Sequence, residues 1–139
     1  MSGLDRFVTA QAGGVFERAL AELEAGAKRS HWMWFVFPQI TGLGRSQTAR
    51  FYAIADRGEA IAYLAHPVLG PRLDSATLAM LDWEGRRSAE AILGPVDAMK
   101  LRSSMTLFEA VAGQRAPFAA VLDAFYGGER DPATLDLLD

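Results

Sequence analysis

Cysteine is absent from this chain of 139 residues, and only two histidines occur in it. Without thiols, the protein can form neither disulfide bonds nor a thiolate metal site, and it has no cysteine nucleophile. Two histidines are too few for a metal site built on several imidazole rings. We therefore predict neither a bound metal nor a cofactor.

Long apolar runs are also missing from the sequence. No stretch reaches the roughly 20 apolar residues that a transmembrane helix needs. The N-terminal residues MSGLDRFVTAQ lack the basic and apolar regions of a signal peptide. We expect a cytoplasmic protein that makes no contact with a membrane.

A surplus of basic residues is lacking as well, since the formal net charge is -3. A nucleic-acid-binding surface needs an excess of Lys and Arg, so we predict no nucleic-acid partner, although a small basic pocket is compatible with this charge. Hydrophobic residues make up 50% of the chain and charged residues 22%, which excludes disorder and suffices for the core of one domain over residues 1–139. The sequence carries no signal for an oligomeric state.

Helix signals are abundant along the chain, whereas strand signals are poor. Apolar residues recur at helical spacing between Gly, Pro, Ser and Asp residues that begin or end helices. The one β-like run, Trp32–Phe37, has no obvious partner strand. We predict an all-α fold, a single compact domain of about seven to eight short helices. The predicted helical segments and turns are 4–8, 15–25, a start at Ser46, 58–65, 66–83, a start at Ser88, 95–112, 118–126 and a final turn from Asp131.

The most unusual stretch is Lys28–Gly44, KRSHWMWFVFPQITGLG, which we call the aromatic segment. It contains four aromatic rings among the six residues from Trp32 to Phe37. Ser30 is a candidate N-cap for a short helix, and Pro38 disfavours helical geometry at the residue before it, so this helix must be brief. Large apolar side chains of this kind build cores. We assign Met33, Phe35 and Val36 to the core.

Packing does not require the polar residues that flank these rings. Lys28, Arg29 and His31 precede them and Gln39 follows. In a pocket for a flat polar ligand, rings stack on the ligand, cations pair with anionic groups and an amide both donates and accepts hydrogen bonds. For Trp32 and Trp34, a pocket wall and plain packing are both open interpretations.

A glycine-containing loop, Gly42–Ser46, closes the segment and leads into a helix. Backbone N–H groups at such a position can bind an anion. The loop lacks the P-loop pattern, however, and a turn capped by Ser46 is the favoured interpretation.

The helix predicted at 95–112 places polar residues on its apolar face. Its buried stripe contains Leu101, Met105, Phe108 and Val111. Asp97 and Ser104 fall inside this stripe, and Lys100 lies at its edge. Either Asp97 and Lys100 form an ion pair that fixes helix packing, or Lys100, Ser103 or Ser104 faces a polar cleft.

Five segments carry a resemblance to a known family: LDRFVTAQ, KRSHWMWFVFPQITGLGRS, EAIAYLAHPVLGPRL, DAMKLRSSMTLF and FYGGERDPATLDLL. Together they resemble the bacterial and fungal family called domain of unknown function 1810 over nearly the whole chain. The resemblance implies a small, mainly helical cytoplasmic protein and supplies no mechanism. The matching positions are Lys28, Ser30, His31, Trp32, Trp34, Phe37, Pro38, Gln39, Gly42, Gly44, Ser46, Tyr63, His66, Pro67, Gly70, Arg72, Leu73, Asp97, Lys100, Ser103, Ser104 and Thr106.

Our first functional hypothesis is a pocket that binds, and in its enzymatic form hydrolyses, a nucleotide-type or other flat anionic small molecule. Asp97 is the candidate general base or charge stabiliser, oriented by Lys100, and His31 is the third catalytic candidate. The hypothesis requires that the segment around His31 and the helix face bearing Lys100 meet in one cleft, and we predict that they do. The candidate ligand-binding residues are Lys28, Trp32, Trp34, Gln39, Arg45 and Ser104.

Two alternatives stand beside this hypothesis. Trp32, Trp34 and Phe37 could form an exposed patch of a non-enzymatic protein–protein interaction module, since aromatic residues dominate binding hot spots. Fully buried rings with paired polar groups would instead indicate a packing core whose function lies elsewhere. The solvent exposure of the rings discriminates among the three.

Overall fold

The computed structural model describes residues 3–112 and 117–138, and most of them lie in helices. Ten helices occur in this part of the chain. The prediction of an all-α fold is confirmed. The predicted number of seven to eight helices is too low, because segments predicted as turns near the two ends of the chain form short helices. The helices are α1 (Asp5–Gln11), α2 (Val15–Glu24), α3 (Met33–Val36), α4 (Gln47–Phe51), α5 (Arg57–Ala65), α6 (Leu69–Leu81), α7 (Ala89–Leu93), α8 (Pro95–Ala112), α9 (Phe118–Tyr126) and α10 (Pro132–Leu138).

Side-chain caps begin several of these helices. The Ser46 hydroxyl accepts a hydrogen bond from the Ala49 N–H at the start of α4, and Ser88 does the same for α7. Ser30 does not cap α3 as predicted. That helix begins three residues later, at Met33, and the Ser30 hydroxyl donates to Glu22 on α2 instead.

Helix α8 lies at the centre of the fold and packs against α5, α7, α9 and α10. Its predicted stripe is correct in Leu101, Met105 and Phe108, which are fully buried, whereas Val111 is partly exposed. Helix α6 packs against α2, α5 and α9, and α3 lies against α1 and α6. The buried apolar side chains form one continuous core, so the helices make a single compact arrangement.

The run Trp32–Phe37 is helical at its centre rather than extended, and the described residues contain no strand. One isolated parallel bridge joins Ile40 to Ile54. Ile54 donates to the Gln39 carbonyl and accepts from the Thr41 N–H, each at 2.8 Å. This bridge attaches the loop after α3 to the chain that follows α4. Among the described helices, none has the length and apolar character needed to cross a membrane.

Two helical glycines differ sharply in the space around them, and this gives a test of the packing. A Cβ at Gly70 would lie 2.2 Å from the Leu64 carbonyl oxygen, whereas at Gly58 it would meet only the Asp56 side chain at 3.4 Å. We expect Gly70→Ala to lower the free energy of unfolding by about 1–3 kcal/mol through overpacking. The control Gly58→Ala should raise it by about 0.5 kcal/mol. Urea unfolding followed by circular dichroism measures both, and equal effects would contradict the close approach of α5 and α6.

Candidate functional site

Glu22 on α2 holds the irregular chain that leads into α3. Its carboxylate accepts four hydrogen bonds, from the Arg29 N–H at 2.7 Å, the Ser30 N–H at 3.0 Å, the Ser30 hydroxyl and the Trp32 indole N–H at 2.9 Å. Partial burial by itself raises the pKa of Glu22, but the hydrogen bonds from Ser30, Arg29 and Trp32 outweigh it and lower the pKa from 4.5 to about 2. The start of the aromatic segment is thereby fixed to α2.

A second polar group holds α3 from the side of α1 and α5. The Gln11 amide donates to the Phe35 carbonyl at 2.7 Å, and the Tyr63 hydroxyl lies 3.3 Å from the same oxygen. Burial raises the pKa of Tyr63 far above its ordinary range, so this hydroxyl stays protonated and can donate. The short helix is thus fixed at both of its ends.

Trp32 is a core residue and not a pocket wall. Its ring is only 1% exposed and packs against Phe37, which is fully buried. Trp32 therefore presents no face on which a ligand could stack, contrary to the prediction. The hypothesised interaction patch of Trp32, Trp34 and Phe37 is not present either, because two of its three rings lie in the core.

Trp34 differs from the other tryptophans. The indole N–H of Trp32 bonds to Glu22, and that of Trp83 donates to the Leu23 carbonyl at 2.8 Å. Within residues 3–112 and 117–138, the indole N–H of Trp34 has no hydrogen-bond partner, and its ring is only partly buried. The Nζ of Lys100 lies over this ring, 3.6 Å from its centroid.

Lys100 is held in this position by a cluster of charges. Asp97 lies 2.9 Å from the Nζ of Lys28 and 3.4 Å from the Nζ of Lys100, using one carboxylate oxygen for each. All three side chains are mostly buried. The predicted pair of Asp97 and Lys100 therefore exists, and Lys28 of the aromatic segment completes it.

The three charged residues line a small cavity of about 80 Å³ together with His31, Met33 and Trp34. The prediction that the segment around His31 and the Lys100 face of α8 meet in one cleft is confirmed. The cavity is too small for more than a few water molecules. The catalytic roles of Asp97, Lys100 and His31 stay predictions.

Two larger cavities lie next to the small one and also border Trp34. We call the first, of about 450 Å³, the arginine cavity, because Arg45 and Arg50 line it. The second, of about 370 Å³, we call the methionine cavity after Met99. Trp34, Gln39 and Gly44 belong to both. The predicted ligand-binding residues Trp34, Gln39 and Arg45 thus meet at one cavity.

Packing and backbone conformation explain the two glycines of the loop between α3 and α4. A Cβ at Gly44 would lie 2.5 Å from the Ala49 side chain. Gly42 has φ of +103°, which side chains other than glycine rarely adopt. The interpretation of this loop as a turn before a helix capped by Ser46 is therefore correct.

Ser104 is also part of the core rather than a ligand contact. It is fully buried, its hydroxyl has no partner among the described residues, and it is not among the residues lining the cavities around Trp34. Its neighbour Ser103 lines the methionine cavity and donates to Asp131 at 2.9 Å. This bond attaches the C-terminal segment to α8 as one wall of the cavity.

Sequence reasoning missed three residues of this site: Glu22, Arg50 and Met99. Arg50 follows Arg45 by five residues across a short helix, so the second cation could have been found from that spacing. Met99 lies next to Lys100 and outside the predicted buried stripe of α8. An apolar residue on the side predicted to be exposed is a signal of a binding surface. Nothing in the spacing of Glu22 from the aromatic segment indicates its four bonds.

A family model described as "Protein of unknown function (DUF1810)" matches residues 1–138. The chain belongs to this family. The fold is similar to the crystal structure of the conserved hypothetical protein Rv1873 from Mycobacterium tuberculosis, with a TM-score of 0.93 and 50% sequence identity over 97% of this chain and 95% of that chain. No curated protein matches the sequence. The family and its Mycobacterium tuberculosis relative support the fold and name no activity.

The lowered pKa of Glu22 predicts a pH-dependent stability. Because Glu22 binds a proton less readily when folded, its contribution is complete above pH 4.5 and is lost as the pH falls toward about 2. At pH 7 we expect Glu22→Gln to lower the free energy of unfolding by about 1–2 kcal/mol. The difference from the wild type should shrink at pH 3 in urea unfolding, and a difference independent of pH would refute the role of the carboxylate charge.

The charge cluster predicts coupled effects on stability. We expect Asp97→Asn to lower the free energy of unfolding by about 1–3 kcal/mol, because it leaves the ammonium groups of Lys28 and Lys100 without their shared counter-charge. Adding Lys28→Met should restore part of the loss. A double-mutant cycle by urea unfolding measures this coupling, and strictly additive losses would show that the cluster is not a unit.

Proposed function

We propose that this protein binds a small molecule carrying a phosphate or similar anionic group, with that group in the arginine cavity beside Trp34. The observation that carries the proposal is the contrast among the tryptophans. Trp32 and Trp83 have bonded indole N–H groups, whereas that of Trp34 is free among the described residues and its ring borders every cavity described above. A half-buried ring with an unused donor is suited to meet a ligand.

The charge of the arginine cavity favours an anion. The Arg45 and Arg50 side chains are exposed and have no hydrogen bond or ion pair within the described ranges, and no Asp or Glu lines the cavity there. The whole chain has a net charge of -3, so this positive region is local. Guanidinium groups match the geometry of phosphate and carboxylate oxygens and bind them with two parallel hydrogen bonds.

Gln39 adds a group that can recognise polarity. Its side-chain amide has no partner in the described part of the chain and lines both larger cavities. An amide both donates and accepts, so it can orient a polar ring or a sugar. The volume of about 450 Å³ lies within the range of small-molecule pockets.

Binding is better supported than hydrolysis. Asp97, the candidate general base, uses both carboxylate oxygens for Lys28 and Lys100 and is not among the residues that line the arginine cavity. We assign this cluster the role of positioning Lys100 on Trp34. Hydrolysis of a nucleotide-type ligand stays a prediction. Hydrolysis would be supported if the protein released phosphate or a free base from a bound nucleotide and Asp97→Asn abolished this release.

The binding proposal is tested by calorimetric titration with ribose 5-phosphate, AMP and pyrophosphate. We expect binding of at least one of them, weakened about tenfold by either Arg45→Gln or Arg50→Gln, since a hydrogen-bonded charge contributes on the order of 1.5 kcal/mol. Arg18→Gln is the matched control for Arg50, because Arg18 is another exposed arginine on a helix without a side-chain partner in the described ranges. The control should bind as the wild type does. The proposal would be refuted if none of the three compounds bound, or if the Arg18 and Arg50 variants had equal effects.

A further inference from the structure

The methionine cavity differs in chemistry from the arginine cavity that it adjoins. Its walls are mostly apolar and include Trp34, Leu43, Val96, Met99 and Ala133. Val96 and Met99, in the first turns of α8, are 65% and 72% exposed. Exposed apolar side chains beside a cavity gain free energy when a ligand covers them, and methionine adapts its shape to what it covers.

The charges on the walls of the methionine cavity are already engaged. Lys100 pairs with Asp97, and Asp131 accepts hydrogen bonds from Ser103 and Thr134. The Arg102 guanidinium donates to the carbonyl oxygens of residues 129 and 130, at 2.9 and 2.7 Å. Among the described residues that line this cavity, a second anionic group would therefore find no free cation, in contrast to Arg45 and Arg50 of the adjoining cavity.

We propose that the ligand has two parts, an anionic group in the arginine cavity and an uncharged flat ring in the methionine cavity. This inference rests on the proposed function and adds the class of molecule that binds. The two parts would be joined across the wall that the cavities share, formed by Trp34, Gln39 and Gly44. The ring, an aryl group or a nucleobase, packs against Met99 and Leu43. Gln39 and Ser103, which also line the methionine cavity, meet its polar edge.

Two pairs of compounds that differ only in the ring provide the test. Ribose 5-phosphate and AMP form one pair, and methyl phosphate and phenyl phosphate form the other. We expect the ring-bearing member of at least one pair to bind about tenfold more tightly, in calorimetric titration of the full chain. Adenosine, which has the ring without the anion, should bind more weakly than AMP.

Met99→Gln separates the two parts of the site. It should remove most of the advantage of the ring-bearing compound and leave binding of ribose 5-phosphate or methyl phosphate unchanged. Val96→Gln should act in the same direction with a smaller effect. Leu78→Gln on α6 is the matched control, because Leu78 is another exposed apolar residue on a helix and does not line the cavities described here.

The outcomes distinguish this inference from the function on which it rests. If the phosphates bind but neither ring adds affinity, the inference is overturned and the anion site stands. If Met99→Gln weakens ring-bearing and ringless compounds equally, the methionine cavity does not hold the ring and the inference is again overturned. If no phosphate binds at all, the proposed function fails and the two-part ligand with it.

Discussion

Glu22 accepts four hydrogen bonds from a stretch of irregular chain, and the position of Trp34 depends on them. Residues 27–32 form no helix, so their backbone N–H groups need partners from elsewhere. The Glu22 carboxylate is the partner of two of them, those of Arg29 and Ser30, and it also binds the Trp32 indole, which places that ring in the core. Trp32 is thus fixed on one side, and the Phe35 carbonyl is bonded to Gln11 on the other. The Trp34 side chain between them points out of the core toward Lys100 on α8.

Charged groups with partners and charged groups without partners lie on different sides of the site. On α8, the charges beside Trp34 have partners: Asp97 pairs with two lysines, and Arg102 with backbone carbonyls. At the loop before α4, Arg45 and Arg50 have none in the described part of the chain. Unpaired guanidinium groups are available to a ligand, so we propose that the anion binds on this side, with Trp34 between it and the apolar side.

Local signals in the sequence predicted the helices well, and long-range contacts decided what they missed. Pro95 and Pro117 marked the starts of α8 and α9, because proline fits a first helical turn. Helical periodicity also placed Asp97 on the inward face of α8. It could not choose between Trp32 and Trp34, two residues apart in the same segment, because the choice depends on Glu22 of another helix. The prediction that Ser104 binds a ligand was wrong because periodicity shows only that a residue faces inward. It does not show whether a cavity lies there.

We propose that Trp34 is the tryptophan that meets the ligand, while Trp32 and Trp83 hold the fold. Nuclear magnetic resonance of the ¹⁵N-labelled protein measures it directly, because each indole N–H gives its own cross-peak and Trp34→Phe identifies one of the three. On titration with AMP, we expect the Trp34 peak to shift in a saturable way while those of Trp32 and Trp83 stay in place. A stationary Trp34 peak, with saturable shifts at Trp32 or Trp83 or at neither, would contradict it.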